Sequence, residues 1–518
     1  MRRLARPTLL STACLSAALA LSACHRTEPA PEAAAPAAQP ATEIAWREGD
    51  VQDAFTEAAE SNKPILLYWG AVWCPPCNRL KATLFKDPAF IARTQQFVAV
   101  HLDGDSDGAQ AWGERFGIKG YPTIIVLRPD RSEITRLAGD SDIARLTEVL
   151  RVAAGRTTTS EQLLQQALQD PAKLGADDWT LLGEYGWSVD ANRLVKDDQA
   201  PKVLEQLARS APQPALQRRF ALLALAARQR KADAASPSSE DLVANRSLLQ
   251  TVLADPAEVR RNRSTLSYAA GGLVRAAASD PPQREQLSNA LIHALDAVYA
   301  DASLPISDRL GTTYADIQLA RLAQGKDPDK DALLPPAVIE KVHQRVAWAD
   351  QTASTDYERQ STLSTAADLL DEAGDRAGAE QLLLAELKRS KTPYYYMPEL
   401  ADYAEARGDK TDALSWLQKA YQGAEGPATR VQWGVLYVDG LLRLSPNDKT
   451  GIETAATQVI GELAGQSEGY HQRTRQRFDT LGKSLQAWSR DHHGSEVLAR
   501  LRQKMQQDCG DSCAGWLG

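Results

Sequence analysis

The most constraining stretch of this 518-residue chain is an apolar run that gives way to two cysteines bracketing two prolines. Pro64-Ile65-Leu66-Leu67-Tyr68-Trp69 shows no polar alternation, the pattern of a strand buried on both faces. Shortly after it come Trp73-Cys74-Pro75-Pro76-Cys77, with Leu80 and Leu84 following at helical spacing. Adjacent prolines have a fixed φ and no N–H donors, so they suit the first turn of a helix, where those donors are unpaired anyway. The segment predicts a strand-to-helix junction with Cys74 at the helix N-terminus. Free backbone N–H groups and the positive end of the helix dipole stabilise a thiolate there. Such placement takes a thiol pKa from about 8.5 to between about 3.5 and 7.5. Cys77 lies one turn on, close enough to attack a mixed disulfide held on Cys74.

Around this junction, residues 44–155 alternate helix and strand signals. A helix is predicted over 49–61, a second buried strand over 97–102, a helix over 109–116 and a third strand over 123–127. A short edge strand over 133–137 and a closing helix over 141–154 complete the set. That order argues for a sheet covered by helices on both faces. Gly120-Tyr121-Pro122-Thr123 stands just before the third strand.

The Trp-Cys-Pro-Pro-Cys junction and the Gly-Tyr-Pro-Thr loop, in that order, resemble the thioredoxin superfamily, in particular its periplasmic thioredoxin-like domains. The resemblance covers about a fifth of the chain. It implies a thiol–disulfide oxidoreductase with Cys74 as the attacking sulfur and Cys77 as the resolving one, acting on protein thiols and disulfides. It further implies that Pro122 is cis and that Trp73, Tyr121 and Pro122 meet the substrate, with the Tyr121 backbone pairing to an extended segment. No cofactor is implied. One departure is evident, since many members carry a buried acid six residues before the first cysteine and this chain has Tyr68. Direction stays open: the Pro-Pro pair resembles tryparedoxin-type reductants, but potentials in such folds span about −270 to −120 mV. A zinc site is not expected, because zinc needs four ligands and no second Cys or His pair stands nearby.

The N-terminus opens Met1-Arg2-Arg3-Leu4-Ala5-Arg6-Pro7 and continues as an uncharged apolar run to Cys24. A basic start, a short apolar middle and small residues at the end describe a secretory leader, over 1–23. Leu21-Ser22-Ala23-Cys24 resembles the lipobox of bacterial lipoproteins, which implies that Cys24 is acylated and anchors the chain to a membrane. With His25 rather than Asp after it, the resemblance implies the periplasmic face of the outer membrane. Residues 24–43 are rich in Pro and Ala and too poor in large apolar groups to fold, so they read as a tether. Extended at about 3.1 Å per residue, it reaches about 60 Å.

The formal charge is −8, and loss of Arg2, Arg3 and Arg6 with a leader takes it to −11. No basic stripe of the kind nucleic acid requires is present. Of the six cysteines, Cys14 falls in the leader and Cys24 is the expected acylation site, which leaves two close pairs, Cys74/Cys77 and Cys509/Cys513, a pattern suited to an oxidising compartment.

Residues 160–518 carry many amphipathic helical patterns and little strand signal. Gly374 and Gly408 are 34 residues apart, and so are Ala367/Ala401, Asp375/Asp409, Ala379/Ala413 and Leu383/Leu417. That period resembles tetratricopeptide repeats, near 360–425, whose arrays commonly bind a peptide or protein client. The fold class expected is thus an α/β thioredoxin-like domain followed by a large all-α region with such repeats. Tyr394, Tyr395 and Tyr396 precede a repeat helix and read as packing residues or as a stacking surface for a peptide. His492-His493 reads as a solvated loop. Cys509 and Cys513 read as a local structural disulfide, with a second redox pair as the other reading. Asp103, Asp105 and Asp107 with Glu114 match the EF-hand spacing, but a strand enters this loop where an EF-hand needs a helix. Two functions compete: the lipid-anchored oxidoreductase, and a scaffold in which the thioredoxin-like fold only docks partners.

Overall fold

The computed structural model describes residues 41–48, 51–137, 142–187, 190, 192–230, 236–325, 333–466, 468–513 and 515–517. The leader, Cys24 and most of the tether lie outside the described residues.

Nine elements build the α/β domain in chain order. They are α1 (Val51–Ser61), β1 (Ile65–Gly70), α2 (Pro75–Ala82), α3 (Pro88–Thr94), β2 (Val98–Asp103), α4 (Ala109–Arg115), β3 (Thr123–Leu127), β4 (Glu133–Leu137) and α5 (Ile143–Ala153). The sheet order is β2-β1-β3-β4, with β1 parallel to β2 and the other pairs antiparallel. Side chains alternate between two cores with the period of two that a pleated strand imposes. Ile65, Leu67, Trp69, Val98, Val100, Ile125 and Leu127 face α1 and α4, against Phe55 and Trp112. Leu66, Tyr68, Ala99, Ile124 and Val126 face the other way, into a core shared with α2, α3 and α5. That second core continues without a break into the helical region, through Trp179, Phe220, Trp433 and Phe478. Residues 41–518 accordingly form one unit.

The expected edge strand is present at 133–137. β4 does lie at the sheet edge, yet all five of its residues are buried. The helical region covers it: the Gly186 amide donates to Arg136 O at 2.8 Å, just after the helix Ala176–Glu184. The Arg136 side chain is wholly buried, pairs with Glu133 at 3.0 Å and donates to Phe116 O at 2.7 Å. A charge-bearing strand reads as solvent-facing by composition alone, and only the second region's packing makes it interior.

The helical region holds twenty α-helices among the described residues, from Ser160–Gln169 to Ser495–Cys509. The 34-residue spacing corresponds to two successive helical hairpins, Asp356–Glu372 with Arg376–Glu386 and Met397–Ala406 with Lys410–Gly423. Asp375 and Asp409 cap the second helix of each, accepting from Gly378 N at 2.9 Å and Asp412 N at 3.0 Å. Ala379 and Ala413 are fully buried where the helices approach. Among the described residues no helix is long and apolar enough to cross a membrane.

Candidate active site

Cys74 is the N-cap of α2, with extended backbone (φ −74°, ψ 114°) and prolines at the first helical positions. Its sulfur accepts the Cys77 amide at 3.2 Å, so one of the helix's unpaired donors points at the sulfur. Arg79 and Lys81 occupy the last turn, where cations suit the negative end of the dipole. Cys74 and Cys77 are disulfide-bonded, with a Cα separation of 5.2 Å. The Tyr121–Pro122 peptide is cis. The Tyr121 ring meets both Trp69 and Trp73 edge-on, at 5.2 and 5.7 Å. Burial, only partly opposed by the nearby Arg473, pushes the Tyr121 hydroxyl up to about 12.

Tyr68, at the position where an acid is common, is buried and stacks on His101 with centroids 5.0 Å apart. Burial holds its hydroxyl in the neutral form, well above the usual tyrosine range. Neither that hydroxyl nor His101 Nε2 has a hydrogen-bond partner among the described residues. His101 Nδ1 is held by Glu48 at 2.8 Å.

The site differs from the sequence-based expectation in being covered. Cys74 is 2% exposed, Cys77 0% and Trp73 8%. The cover is the chain's own helical region. The Trp73 indole donates to Thr429 Oγ1 at 2.8 Å and lies against Trp433 and Tyr395, at 5.1 and 5.9 Å. One turn along α2, Asn78 donates to Gln360 Oε1 at 2.8 Å. Arg79 grips Asp308 with two nitrogens, at 2.5 and 2.6 Å, and Arg263 reaches the same carboxylate at 2.6 Å. Burial works against the Asp308 charge, but the two guanidiniums outweigh it and hold the carboxyl below its usual range. None of these partners follows from the cysteine motif, since each lies hundreds of residues away in sequence.

The acidic loop has a structural role here. Asp105 accepts from the Thr429 amide at 2.7 Å and from its hydroxyl at 2.5 Å, capping the helix Pro427–Leu444 from outside. The same hydroxyl oxygen receives the Trp73 indole, so the loop and the cysteine motif meet at one residue. Gly426 makes the approach feasible: its φ is +87°, and a Cβ there would overlap the Asp105 carboxylate. Burial pushes Asp105 up to about 6, against the pull of both Thr429 hydrogen bonds. Glu114, the last position of the calcium-like spacing, takes His471 Nδ1 at 2.9 Å and Arg475 at 2.9 Å. Carboxylates near both ends of that spacing thus join domain to array. Among the described residues no group of three or more His, Cys, Asp or Glu is placed to hold a metal ion.

Tyr394 and Tyr396 are buried as packing residues. Tyr395 is the one that reaches the site, and a mere run of tyrosines carries no signal to single it out. His492 ends the helix Gln472–His492, and His493 follows with φ +52°. Cys509 and Cys513 are disulfide-bonded at the far end of the helix Ser495–Cys509.

Between α2 and the array lies a cavity of about 440 Å³. Pro75, Pro76, Tyr121 and Pro122 form its α/β wall, and Arg263, Ser267, Asp308, Ser361 and Tyr395 lie on the opposite side. Of the residues expected to meet substrate, Tyr121 and Pro122 line a chamber whose other half is built by the helical region, and Trp73 is not in its lining.

Residues 51–154 match the thioredoxin-like domain family. The chain is 30% identical over 128 residues to the thiol:disulfide interchange protein DsbD 1 of Pseudomonas aeruginosa, covering 23% of this chain and 22% of that one. It is 35% identical over 72 residues to thioredoxin H4 of Arabidopsis thaliana, covering 14% and 57%. It is 33% identical over 94 residues to thioredoxin-1 of Drosophila melanogaster, covering 18% and 81%. The chain spans about a fifth of the first of these relatives and just over half of the second. Through this domain the chain belongs to the thioredoxin-like family, with a CxxC redox centre, Cys74–Cys77, at the head of α2.

Proposed function

We propose that this protein is a thiol–disulfide oxidoreductase in which Cys74 exchanges with substrate sulfur and Cys77 resolves the mixed disulfide. The placement of the Cys74 sulfur as a helix N-cap, accepting the Cys77 amide beside a cis proline loop, carries this reading. A sulfur at that position is the better leaving group and the more readily ionised nucleophile of the pair. The Pro-Pro pair supports the reducing direction, on protein disulfides. The leader-like start and Cys24 support a lipid-anchored location in the periplasm, at the outer membrane, and the repeat hairpins support client binding by the helical region. In this closed arrangement Trp73 is engaged by Thr429, which leaves Tyr121 and Pro122 as the substrate-facing pair. A Cys77→Ser variant is expected to accumulate mixed disulfides through Cys74. Recovery of none, where a control oxidoreductase yields them, overturns the proposal.

One observation favours the scaffold reading: the face that carries the chemistry is covered by the chain's own helices, with Cys74 at 2% exposure. Complementation separates the two. Full rescue of a deletion strain by the Cys74→Ser/Cys77→Ser double variant establishes the scaffold.

A further inference from the structure

The loop that leads into β3 is held from a distant part of the chain. Arg473 Nη1 donates to Lys119 O at 3.3 Å, and the same guanidinium lies over the Tyr121 ring, 4.5 Å from its centroid. Nη2 donates to Gln432 Oε1 at 2.9 Å, in the helix Pro427–Leu444. Arg473 thus spans the turn from Lys119 to Tyr121, just before the cis bond to Pro122. Within its own domain the Tyr121 ring meets Trp69 and Trp73 edge-on, and its hydroxyl packs where a Cβ at Gly104 would overlap it. Edge-on neighbours leave the ring's faces for other partners, and a cation suits the negative face of an aromatic ring.

Arg473 is itself fixed in place. It is the second residue of the helix Gln472–His492, and Glu114 in the last turn of α4 grips the start of that helix at three points. They are His471 Nδ1 at 2.9 Å, the Gln472 amide at 3.2 Å and Arg475 Nη1 at 2.9 Å. A carboxylate suits this end of a helix, where the amides are unpaired and the dipole is positive. Gln472, nearly buried, holds φ +43°, a backbone form that a non-glycine residue keeps only where its surroundings impose it. α4 therefore sets the array helix whose next side chain crosses the loop.

We propose that Arg473 is a positioning residue of the oxidoreductase: from the helical region it holds the Lys119–Pro122 loop in the form that pairs with an extended peptide. The proposal rests on the oxidoreductase reading and gives the helical region a part in the site itself. Tyr121 and Pro122 line the chamber and Arg473 does not, so Arg473 acts through the loop and not on the substrate. A loop fixed in advance loses less freedom when it pairs with a peptide backbone. Loss of the clamp therefore weakens that pairing far more than it affects sulfur exchange at Cys74.

The test reads selectivity in the reduced full chain. Two mixed disulfides share the coloured leaving group thionitrobenzoate, one on a short uncharged peptide with a central cysteine and the other on mercaptoethanol. The rate of a Cys74→Ser chain is subtracted from each. Arg473→Met is expected to lower the peptide-to-mercaptoethanol rate ratio about tenfold, and Arg473→Lys, which keeps a cation over the ring, to restore most of it. Gln432→Leu removes the far anchor of Arg473 and is expected to lower the ratio about threefold. The reduction potential of the Cys74–Cys77 couple, read against glutathione, is expected to match the parent's in all three variants. A ratio unchanged in Arg473→Met, equal losses with both reagents, or a parent chain without preference for the peptide overturns the positioning role and leaves the oxidoreductase standing. A parent chain that reacts with neither reagent above the Cys74→Ser background overturns the oxidoreductase itself.

Discussion

The molecule contains two short-range cysteine pairs, and they sit at opposite poles of a helix. Cys74 opens α2, its sulfur facing the Cys77 amide at 3.2 Å. Cys509 closes the helix Ser495–Cys509, and the sulfur of its partner Cys513 lies 3.2 Å from the Met505 carbonyl oxygen. Both pairs are bonded, with Cα separations of 5.2 and 5.9 Å, and each includes a nearly buried cysteine. Spacing and burial therefore do not distinguish them. The sign of the backbone dipole at the sulfur does, since an N–H stabilises a developing thiolate and a C=O repels it. The lesson is that a cysteine pair takes its chemistry from which end of the helix it occupies.

The sharpest way to break this comparison is to remove each pair in turn. Cys74→Ser is expected to reduce thiol exchange to the uncatalysed background, whereas Cys509→Ser/Cys513→Ser leaves the rate within about twofold. Equal losses in the two variants, measured by stopped exchange with a dithiol, would show both pairs to be redox centres.

The two pairs also differ in what covers them, and the cover over Cys74 depends on Asp308. Asp308→Asn removes the carboxylate that Arg79 and Arg263 both grip. Breaking a buried charge cluster in this way costs about 3–5 kcal/mol. Denaturant melts are expected to show that loss, and alkylation of the reduced chain is expected to speed up at Cys74 and not at Cys509.

A milder perturbation of the same cover is pH. The folded pKa of Asp105, about 6, lies above its ordinary value of 3.8. Its contribution to stability is therefore full below about pH 4 and is lost as pH rises through about 6. A tenfold change in proton affinity on folding is worth about 1.4 kcal/mol, so the loss amounts to about 3 kcal/mol at most. Asp308 works with the opposite sign: its depressed pKa stabilises above the ordinary carboxylate value, and that contribution is lost as pH falls. Asp105→Asn is expected to flatten the stability profile between pH 4 and 7, measured against the parent chain by chemical denaturation.

The smallest expected effect belongs to the tail. Opening the Cys509–Cys513 bridge frees a very short loop, worth about 2 kcal/mol by chain entropy. A Cys509→Ser/Cys513→Ser chain that melts like the parent would remove the structural role from this pair.

Much of the α/β domain is legible in the sequence because its signals are local. The run 64–69 is continuous because β1 lies between two cores, and the two prolines start α2 because their geometry allows no other helical position. α3 is too short for apolar periodicity to reveal, although Asp87-Pro88 is a recognisable start: Asp87 accepts the Phe90 amide at 2.9 Å with proline at the first position. The Asp103–Glu114 spacing imitates a metal loop because sequence separation counts carboxylates without seeing what pairs them. Thr429, His471 and Arg475 lie more than 300 residues away. Burial of β4 is hidden for the same reason, since the cover on Arg136 and Glu133 comes from a different region.

By itself the sequence determined that a sulfur would stand at a helix N-terminus, because backbone dihedrals, proline geometry and the helix dipole act over a single turn. It also determined the sheet's two-sided burial, which a run of apolar residues records directly. Only the tertiary structure decided who reaches that sulfur. Packing of the helical region against α2 brings Thr429, Gln360, Asp308 and Tyr395 to the cysteine face and leaves a chamber beside the start of α2. Contacts across hundreds of residues arise from shape and charge complementarity between finished surfaces, which no local pattern in the chain encodes.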